Sequence, residues 1–309
     1  MGNIFKSLFS VPEEKPEAEK QFEIFKYDGI RAMRMGQTDY AIRCFEEALK
    51  IKHEPETATF LMNAYAHTHR TDDALRIARI GVETDATNLN ARLSRAGLLF
   101  QSGRYEEAMD DCRYILEADP SNPLVHLLAG RVRRALNDAE GAIAALTEAI
   151  ALREDLPDAY LFRAEACYES GRLPEALADA DRLIELAPEE ESGFLLKGRI
   201  CEKNGDSAQA LECYDRALSL NPYSSETAKL TAQALLRENR AAEAIAFLDD
   251  TLELIPGFAC GYSLRAEARR MAGDIAGAEA DDAAALEISA DESEAEEVDF
   301  SKMNKGPIY

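Results

Sequence analysis

Residues 102–108 read Ser-Gly-Arg-Tyr-Glu-Glu-Ala, and residues 170–176 read Ser-Gly-Arg-Leu-Pro-Glu-Ala. The alanine that closes each stretch returns along the chain, spaced by 33 residues once and by 34 residues six times. Its positions are Ala41, Ala74, Ala108, Ala142, Ala176, Ala210, Ala244 and Ala278. A fixed period of this size indicates tandem repeats, which are stable because each unit packs on its neighbours.

A second small residue precedes seven of these alanines by twelve positions, for example Ala96 before Ala108. Two antiparallel helices can approach closely only where neither carries a bulky side chain, so the pair predicts a helical hairpin. Met62, before Ala74, is the exception. Between the two small positions lie residues that tolerate a left-handed backbone, with His69 as the exception in the second repeat. They are Gly36, Gly103, Asn137, Gly171, Gly205, Asn239 and Gly273.

This pattern resembles the tetratricopeptide repeat family, whose two-helix units stack into a right-handed superhelical solenoid. The resemblance covers eight units over residues 22–292 and implies an all-α fold. Residues 1–21 are then an N-terminal extension, and residues 293–309 are predicted to be an acidic, disordered tail. The family resemblance implies a noncatalytic scaffold or adaptor that binds a peptide or protein segment in a concave groove. The alternative is a regulatory or assembly subunit of an enzyme complex whose catalytic chain is separate.

The composition limits the classes of partner that this protein can be expected to bind. The formal net charge of −23 argues against nonspecific binding to nucleic acid or to anionic membranes, since such a surface repels phosphate. The six cysteines form no C-x-x-C pair and are interpreted as buried apolar residues rather than a disulfide framework. With no long apolar run and no targeting leader in the sequence, a cytoplasmic location is expected.

Candidate groove residues follow from the family's register, in which the first helix of each repeat lines the groove. Its fifth position is leucine in four consecutive repeats, with aromatic and basic residues nearby, which predicts a partner that is acidic and has apolar anchors. The alternative is that the leucines pack between neighbouring helices and the arginines pair with Glu165 and Glu169. The candidates are Leu93, Leu127, Arg131, Arg134, Leu161, Tyr168, Leu195, Arg199, Lys203 and Arg237.

Motifs of an enzyme are missing from the sequence. It contains no glycine-rich phosphate loop, no G-x-S-x-G and no H-E-x-x-H. His67 and His69 are two positions apart and would face different sides of a helix. The carboxylate pairs at 106–107 and 110–111 are predicted to lie on a solvated helix face. No catalytic residue, metal ligand or cofactor is therefore predicted.

The two ends fall outside the repeat pattern. Ile4, Phe5, Leu8 and Phe9 would share one face of a short amphipathic helix, which resembles the lipid-modified start of ADP-ribosylation-factor GTPases. Lys6 departs from the acylation pattern of those proteins. Three alternatives therefore remain for this segment, namely attachment to a membrane, a short helix that caps the first repeat, and an unstructured end. The acidic tail carries apolar residues of its own, so self-interaction with the groove is a further hypothesis. Those residues are Val298, Phe300, Ile308 and Tyr309.

Overall fold

The computed structural model describes the backbone of residues 16–303 and the side chains of residues 16–290. This part of the chain contains sixteen α-helices and no strand. In the first half they are α1 (Glu17–Arg34), α2 (Thr38–Ile51), α3 (Pro55–His67), α4 (Thr71–Thr84), α5 (Leu89–Gln101), α6 (Tyr105–Ala118), α7 (Pro123–Ala135) and α8 (Ala139–Leu152). In the second half they are α9 (Pro157–Glu169), α10 (Leu173–Leu186), α11 (Glu191–Lys203), α12 (Ser207–Leu220), α13 (Ser225–Arg237), α14 (Ala241–Leu254), α15 (Ala259–Met271) and α16 (Ile275–Met303).

The chain divides into two compact units, Met1–Leu152 and Arg153–Tyr309. In the first unit, each of helices α1 to α8 packs against the next helix, and α9 to α16 do the same in the second. The first helices of successive hairpins also meet within a unit, as α5 meets α7 and α9 meets α11. Each unit therefore holds four hairpins, and the predicted all-α array of helix-turn-helix repeats is confirmed.

The turns inside the hairpins depend on a left-handed residue. Eight residues of the described backbone have positive φ, and they are the eight that the sequence pattern places there, including His69 at 57°. In the first hairpin, the Gln37 amide donates to the Ala32 carbonyl at 2.9 Å and the Gly36 amide donates to the Met33 carbonyl at 3.1 Å. This Schellman arrangement satisfies carbonyls at the helix end and reverses the chain.

Close approach of the two helices explains the small residues. The recurring alanines are all buried, with at most 1% of their surface exposed. Glycine occurs where the facing helix brings a large side chain sixteen positions later: a Cβ on Gly130 would lie only 2.5 Å from Leu146 Cγ. Gly29 faces Phe45 and Gly198 faces Tyr214 in the same way. The volumes at the two positions are therefore complementary.

Met62, the exception in the sequence pattern, obeys the same rule in reverse. The residue sixteen positions after it is Ala78, whose side chain is a single methyl group. Both residues belong to one buried apolar cluster. A large residue on α3 thus replaces the large residue that the hairpins of Phe45, Leu146 and Tyr214 carry on their second helix. The constraint is on the summed volume of the pair, because protein interiors are close-packed.

We therefore expect Gly130→Met to overpack its hairpin against Leu146 and to lower the free energy of unfolding by about 1–3 kcal/mol. Leu146→Ala alone should cost about 2–5 kcal/mol because it leaves a cavity. The double variant copies the Met62 and Ala78 pair and should recover most of both losses. Urea unfolding of the full chain, followed by circular dichroism, measures the cycle, and additive losses would contradict volume complementarity.

A buried ion pair joins the two helices in three hairpins of the described chain. In the fifth hairpin, Arg163 Nε and Nη2 donate to the two carboxylate oxygens of Asp179 at 2.8 and 2.6 Å, and Asp179 is 5% exposed. The hydrogen bond to Asp179 raises the pKa of the Arg163 guanidinium above its usual value. Arg95 with Asp111 and Arg265 with Asp281 form the same two-point contact.

This arrangement corrects one expectation from the sequence. Glu106, Glu107 and Asp110 are exposed as predicted, but Asp111 is only 2% exposed. It accepts hydrogen bonds from Arg95 and also from Arg92 Nη1, at 3.2 Å. The helical turn from Asp110 to Asp111 rotates the side chain by about 100°, so adjacent carboxylates point to different sides. The sequence pattern gave no indication of the arginine partner, which lies on the other helix.

Removing one member of a buried pair leaves the other charge without compensation, so Asp179→Ala should cost about 3–5 kcal/mol of unfolding free energy. The double variant Arg163→Ala/Asp179→Ala should cost less than half of that, because the fourth hairpin has Ala129 and Ala145 at the same positions. Chemical denaturation measures both. Asp110→Ala is the control, since its exposed pair with Arg113 should be worth less than about 1 kcal/mol.

The ends of the array differ from the predicted boundaries. Helix α1 begins at Glu17, before the predicted first repeat position at 22, and α16 continues past residue 292 to Met303. Residues 278–303 contain no glycine or proline and many alanine and glutamate residues, which favours a helix where a disordered tail was predicted. The predicted amphipathic segment around Ile4 to Phe9 lies outside the described residues, as does the chain after Met303.

Candidate peptide-binding surface

All ten candidate groove residues lie on first helices of hairpins, as the register predicts, and they divide between the two units. The first unit carries Leu93 on α5 and Leu127, Arg131 and Arg134 on α7. The second unit carries Leu161 and Tyr168 on α9, Leu195, Arg199 and Lys203 on α11, and Arg237 on α13.

In the second unit, two cations of α11 lie over one aromatic ring of α9. The Lys203 ammonium is 4.2 Å from the centroid of the Tyr168 ring, and the Arg199 guanidinium is 5.2 Å from it. Lys203 Nζ also donates to the Tyr168 carbonyl oxygen at 2.7 Å. Cation–π contacts of this kind hold both charges in place while their outer surfaces stay accessible.

Glu202, next to Lys203 on α11, connects this helix to the following helices α12 and α13. Its carboxylate pairs with Arg237 on α13 and accepts a hydrogen bond from the Tyr214 hydroxyl of α12 at 3.0 Å. Burial and the nearby Glu202 charge raise the pKa of Tyr214, so the hydroxyl remains protonated and donates. The side chain of Arg237 is 56% exposed, whereas that of Glu202 is 16% exposed. We call Tyr168, Arg199, Glu202, Lys203 and Arg237 the Tyr168 cluster.

The sequence register placed Tyr168 and the three cations together but did not single out Glu202. A repeated spacing along the sequence could have identified Glu202. Lys203 contacts a residue 35 positions earlier, Tyr168, and Arg237 contacts a residue 35 positions earlier, Glu202. In a stacked array, this offset joins the last turns of neighbouring first helices, so an opposite charge there would indicate a pair.

The first unit repeats one contact of this cluster. The Arg131 guanidinium on α7 is 4.7 Å from the centroid of the Phe100 ring on α5. Phe100 precedes Arg131 by the same number of residues as Tyr168 precedes Arg199. The stacking of a basic residue on the aromatic ring of the preceding repeat is therefore a property of the repeat register.

The four leucines are partly or fully buried rather than exposed. Leu127 is only 7% exposed, and Leu93 packs against the apolar core of the first unit. Leu161 and Leu195 are half-buried. Packing between helices, the alternative that the sequence left open, thus describes Leu127 fully. It also applies in part to Leu93 and Leu195, which pack against apolar clusters of their units, while Leu93, Leu161 and Leu195 each keep part of their surface exposed.

Acidic residues also lie near the candidates. Glu165 and Glu169 are on α9 with Tyr168, and both have interaction partners, as do Arg131 and Arg134. Charge on the first helices is therefore mixed.

Groups that could support catalysis or metal binding are scattered. No set of three histidine, cysteine or carboxylate side chains in the described residues is placed to hold a metal ion. His126 contacts the Pro120 carbonyl through Nε2 at 2.9 Å. His69 lies in the turn after α3, not on a helix with His67 as the sequence suggested. Among the described residues, no helix has both the length and the apolar character needed to cross a membrane.

The cysteines are positioned as apolar side chains. Cys44, Cys112, Cys167, Cys201 and Cys213 are buried, and Cys260 is half-buried. Burial raises the pKa of Cys112 to about 12 and that of Cys213 to about 11. Since the thiolate is the reactive form, these thiols are poor nucleophiles at neutral pH.

Native protein should therefore show one fast-reacting thiol with excess dithionitrobenzoate at pH 8, and Cys260→Ser should remove that fast phase. The other five thiols should react only as the chain unfolds, because both access and ionisation are suppressed. The absorbance of the released thionitrobenzoate counts the thiols over time. Fast reaction of several thiols in Cys260→Ser would contradict the burial described here.

Comparisons with known proteins agree with this architecture. A family model described as tetratricopeptide repeat matches residues 61–123, 127–191 and 195–257. The chain is similar to human tetratricopeptide repeat protein 13, with 33% identity over 117 residues, a match that covers 36% of the chain and 13% of that protein. In structure it is similar to a tetratricopeptide repeat protein from Parabacteroides merdae, with a TM-score of 0.63 and 15% identity over 76% of this chain and 93% of that chain. PilF of Pseudomonas aeruginosa is similar with a TM-score of 0.57 and 18% identity over 71% of this chain and 100% of that chain.

Proposed function

This chain belongs to the tetratricopeptide repeat family, and we propose that it is a scaffold without chemistry of its own that holds a protein segment against α9, α11 and α13. Family membership supports the general role of binding proteins. The Tyr168 cluster supports the particular surface, because it gathers cations on first helices of a chain whose net charge is −23.

The observation that carries the proposal is the balance of charge in the Tyr168 cluster. It contains three cations, Arg199, Lys203 and Arg237, and one carboxylate, which already has two partners. The cations are held by the ring and by neighbouring helices, so little further side-chain entropy is lost when a ligand binds. Carboxylates form strong charge-assisted hydrogen bonds with such groups, and arginine can bind them through two nitrogens.

Apolar anchors on the segment would lie beside the exposed parts of Leu161 and Leu195. Packed helices are about 8–10 Å apart, and an extended chain rises about 3.3 Å per residue. An apolar residue and an acidic residue about three positions apart would therefore reach α9 and α11 together. This spacing defines the partner as an extended acidic segment with apolar anchors.

A phage-displayed library of random peptides, selected on the full chain, tests the proposal even though the partner is not identified. Selected peptides should be enriched in Asp and Glu with apolar residues about three positions away, and should bind at least tenfold more weakly to Arg199→Glu/Lys203→Glu/Arg237→Glu. Thermal unfolding should change little, since exposed charges contribute little to stability.

The matched control is Arg113→Glu/Arg216→Glu/Arg240→Glu, which changes three exposed arginines. Arg113 and Arg216 lie on second helices, and Arg240 lies in the turn before α14. This variant should bind the selected peptides like the unaltered chain. Equal binding by the Tyr168-cluster variant, or peptides without acidic enrichment, would contradict the proposed surface.

The acidic tail has the proposed chemistry and serves as a defined probe for self-interaction. A labelled peptide of residues 289–309 should bind a chain that ends at Ser289, and fluorescence anisotropy should show weaker binding as salt screens the charges. The Tyr168-cluster variant should not bind it. No binding at low salt would exclude self-interaction through the tail while leaving the peptide surface to the library experiment.

A further inference from the structure

A cavity of about 440 Å³ lies among α2, α3 and α4 of the first unit, away from the helix faces described above. Its apolar lining includes Leu49, Ala58, Leu61 and Ile77, and its polar lining includes Lys50 and Arg76. Ligand pockets in proteins are usually about 300–1,000 Å³, mostly apolar, with a few polar groups that orient the ligand. This cavity has that size and character.

The cavity lies where the second repeat has alanine at a position that carries a phenylalanine or tyrosine ring in four other repeats. Ala58 occupies the position of Tyr160, Phe194 and Tyr262 in later repeats. Gly81 occupies the position of Ile115 and Leu183 in two other repeats, whereas four repeats have alanine there. Compared with those that carry an aromatic residue, the second repeat therefore lacks a ring in this region of its hairpin.

The missing ring has a defined environment in the other repeats. In the fifth repeat Tyr160 is 8% exposed, and in the sixth the Arg216 guanidinium lies 5.7 Å from the centroid of the Phe194 ring. The position thus accepts a ring with a cation beside it. The second repeat has a similar backbone, but Ala58 supplies no ring at this position.

The charged groups around the cavity are mainly cationic. Lys50 and Arg76 line it together with His53, and one carboxylate, Glu46, faces them. Glu46 accepts a hydrogen bond from the Tyr65 hydroxyl, which remains a donor because burial and this carboxylate raise the pKa of Tyr65 to about 12.

Both cations have acidic partners on their own helices. Lys50 contacts Glu47 at 2.7 Å and Arg76 contacts Asp73 at 3.3 Å. These side chains are 33–68% exposed, so the pairs are weak and the long cationic side chains can turn toward a ligand.

We propose that this cavity binds a small aromatic anion, whose ring takes the place of the side chain missing at Ala58 and whose charged group meets Lys50 and Arg76. The site is independent of the peptide surface on the second unit. It would give the scaffold a small-molecule ligand in addition to its protein partner.

The probe is 8-anilinonaphthalene-1-sulfonate, an aromatic anion, compared with N-phenyl-1-naphthylamine, which has the same ring system without the charge. Fluorescence titration of the full chain should show one saturable site for the anionic probe, with at least about tenfold tighter binding than for the neutral probe. Lys50→Glu/Arg76→Glu should remove this preference while leaving the neutral probe's affinity within about twofold.

Ala58→Phe restores the missing ring, so it should abolish saturable binding of both probes and raise the unfolding temperature by filling the cavity. Ala144→Phe, at an exposed position of α8, is the matched control and should leave binding unchanged.

If Ala58→Phe does not fold, Ala58→Leu places a smaller apolar side chain in the same cavity and should also weaken binding of both probes. Binding that persists in the filled variant, or equal affinity for the two probes in the unaltered chain, would overturn the proposal. Neither result would bear on peptide binding, which uses other helices.

Discussion

The two helices of each hairpin cross so closely that the side chains at the crossing must share a limited volume. Where one helix brings Phe45, Leu146 or Tyr214, the other has glycine, and where one brings Met62 the other has alanine. The left-handed turn that follows each first helix sets the two helices at this distance. Because interiors tolerate neither voids nor overlap, this shared volume determines which residues the repeats can exchange without changing their backbone.

Exchange within that limit is what distinguishes one repeat from another. Three hairpins have a buried aspartate paired with a half-buried arginine in place of apolar residues, and the fourth has Ala129 and Ala145 at the same positions. The second repeat has Ala58 where four others have an aromatic ring, and a cavity lies beside it. A repeat whose side chains differ from those of its neighbours, on the same backbone, can thus provide a binding site for a ligand.

Charge is distributed by the same geometry. Aspartates such as Asp179 that face the partner helix are buried and pair with arginine, whereas basic residues on the first helices of the second unit stack on Tyr168 and stay accessible. A strongly acidic chain can therefore present a local group of cations, because neighbouring repeats bring together residues 35 positions apart. Binding of an acidic segment there would depend on this group and not on the net charge of the chain.

The hairpins, their turns and the small residues at their crossings were all predictable from the sequence, because each depends on local spacing that repeats with a period of 33 or 34 residues. The ten candidate residues also fall on the predicted helices. Other features required contacts between helices. Asp111 is buried because Arg95 lies on the facing helix, Leu127 is buried by its packing, and Glu202 is engaged by Tyr214 and Arg237. Sequence alone determined the repeating unit, since helix periodicity and turn chemistry are local, while tertiary structure decided which polar groups pair and where a cavity remains, since these depend on side chains that meet only after the helices pack.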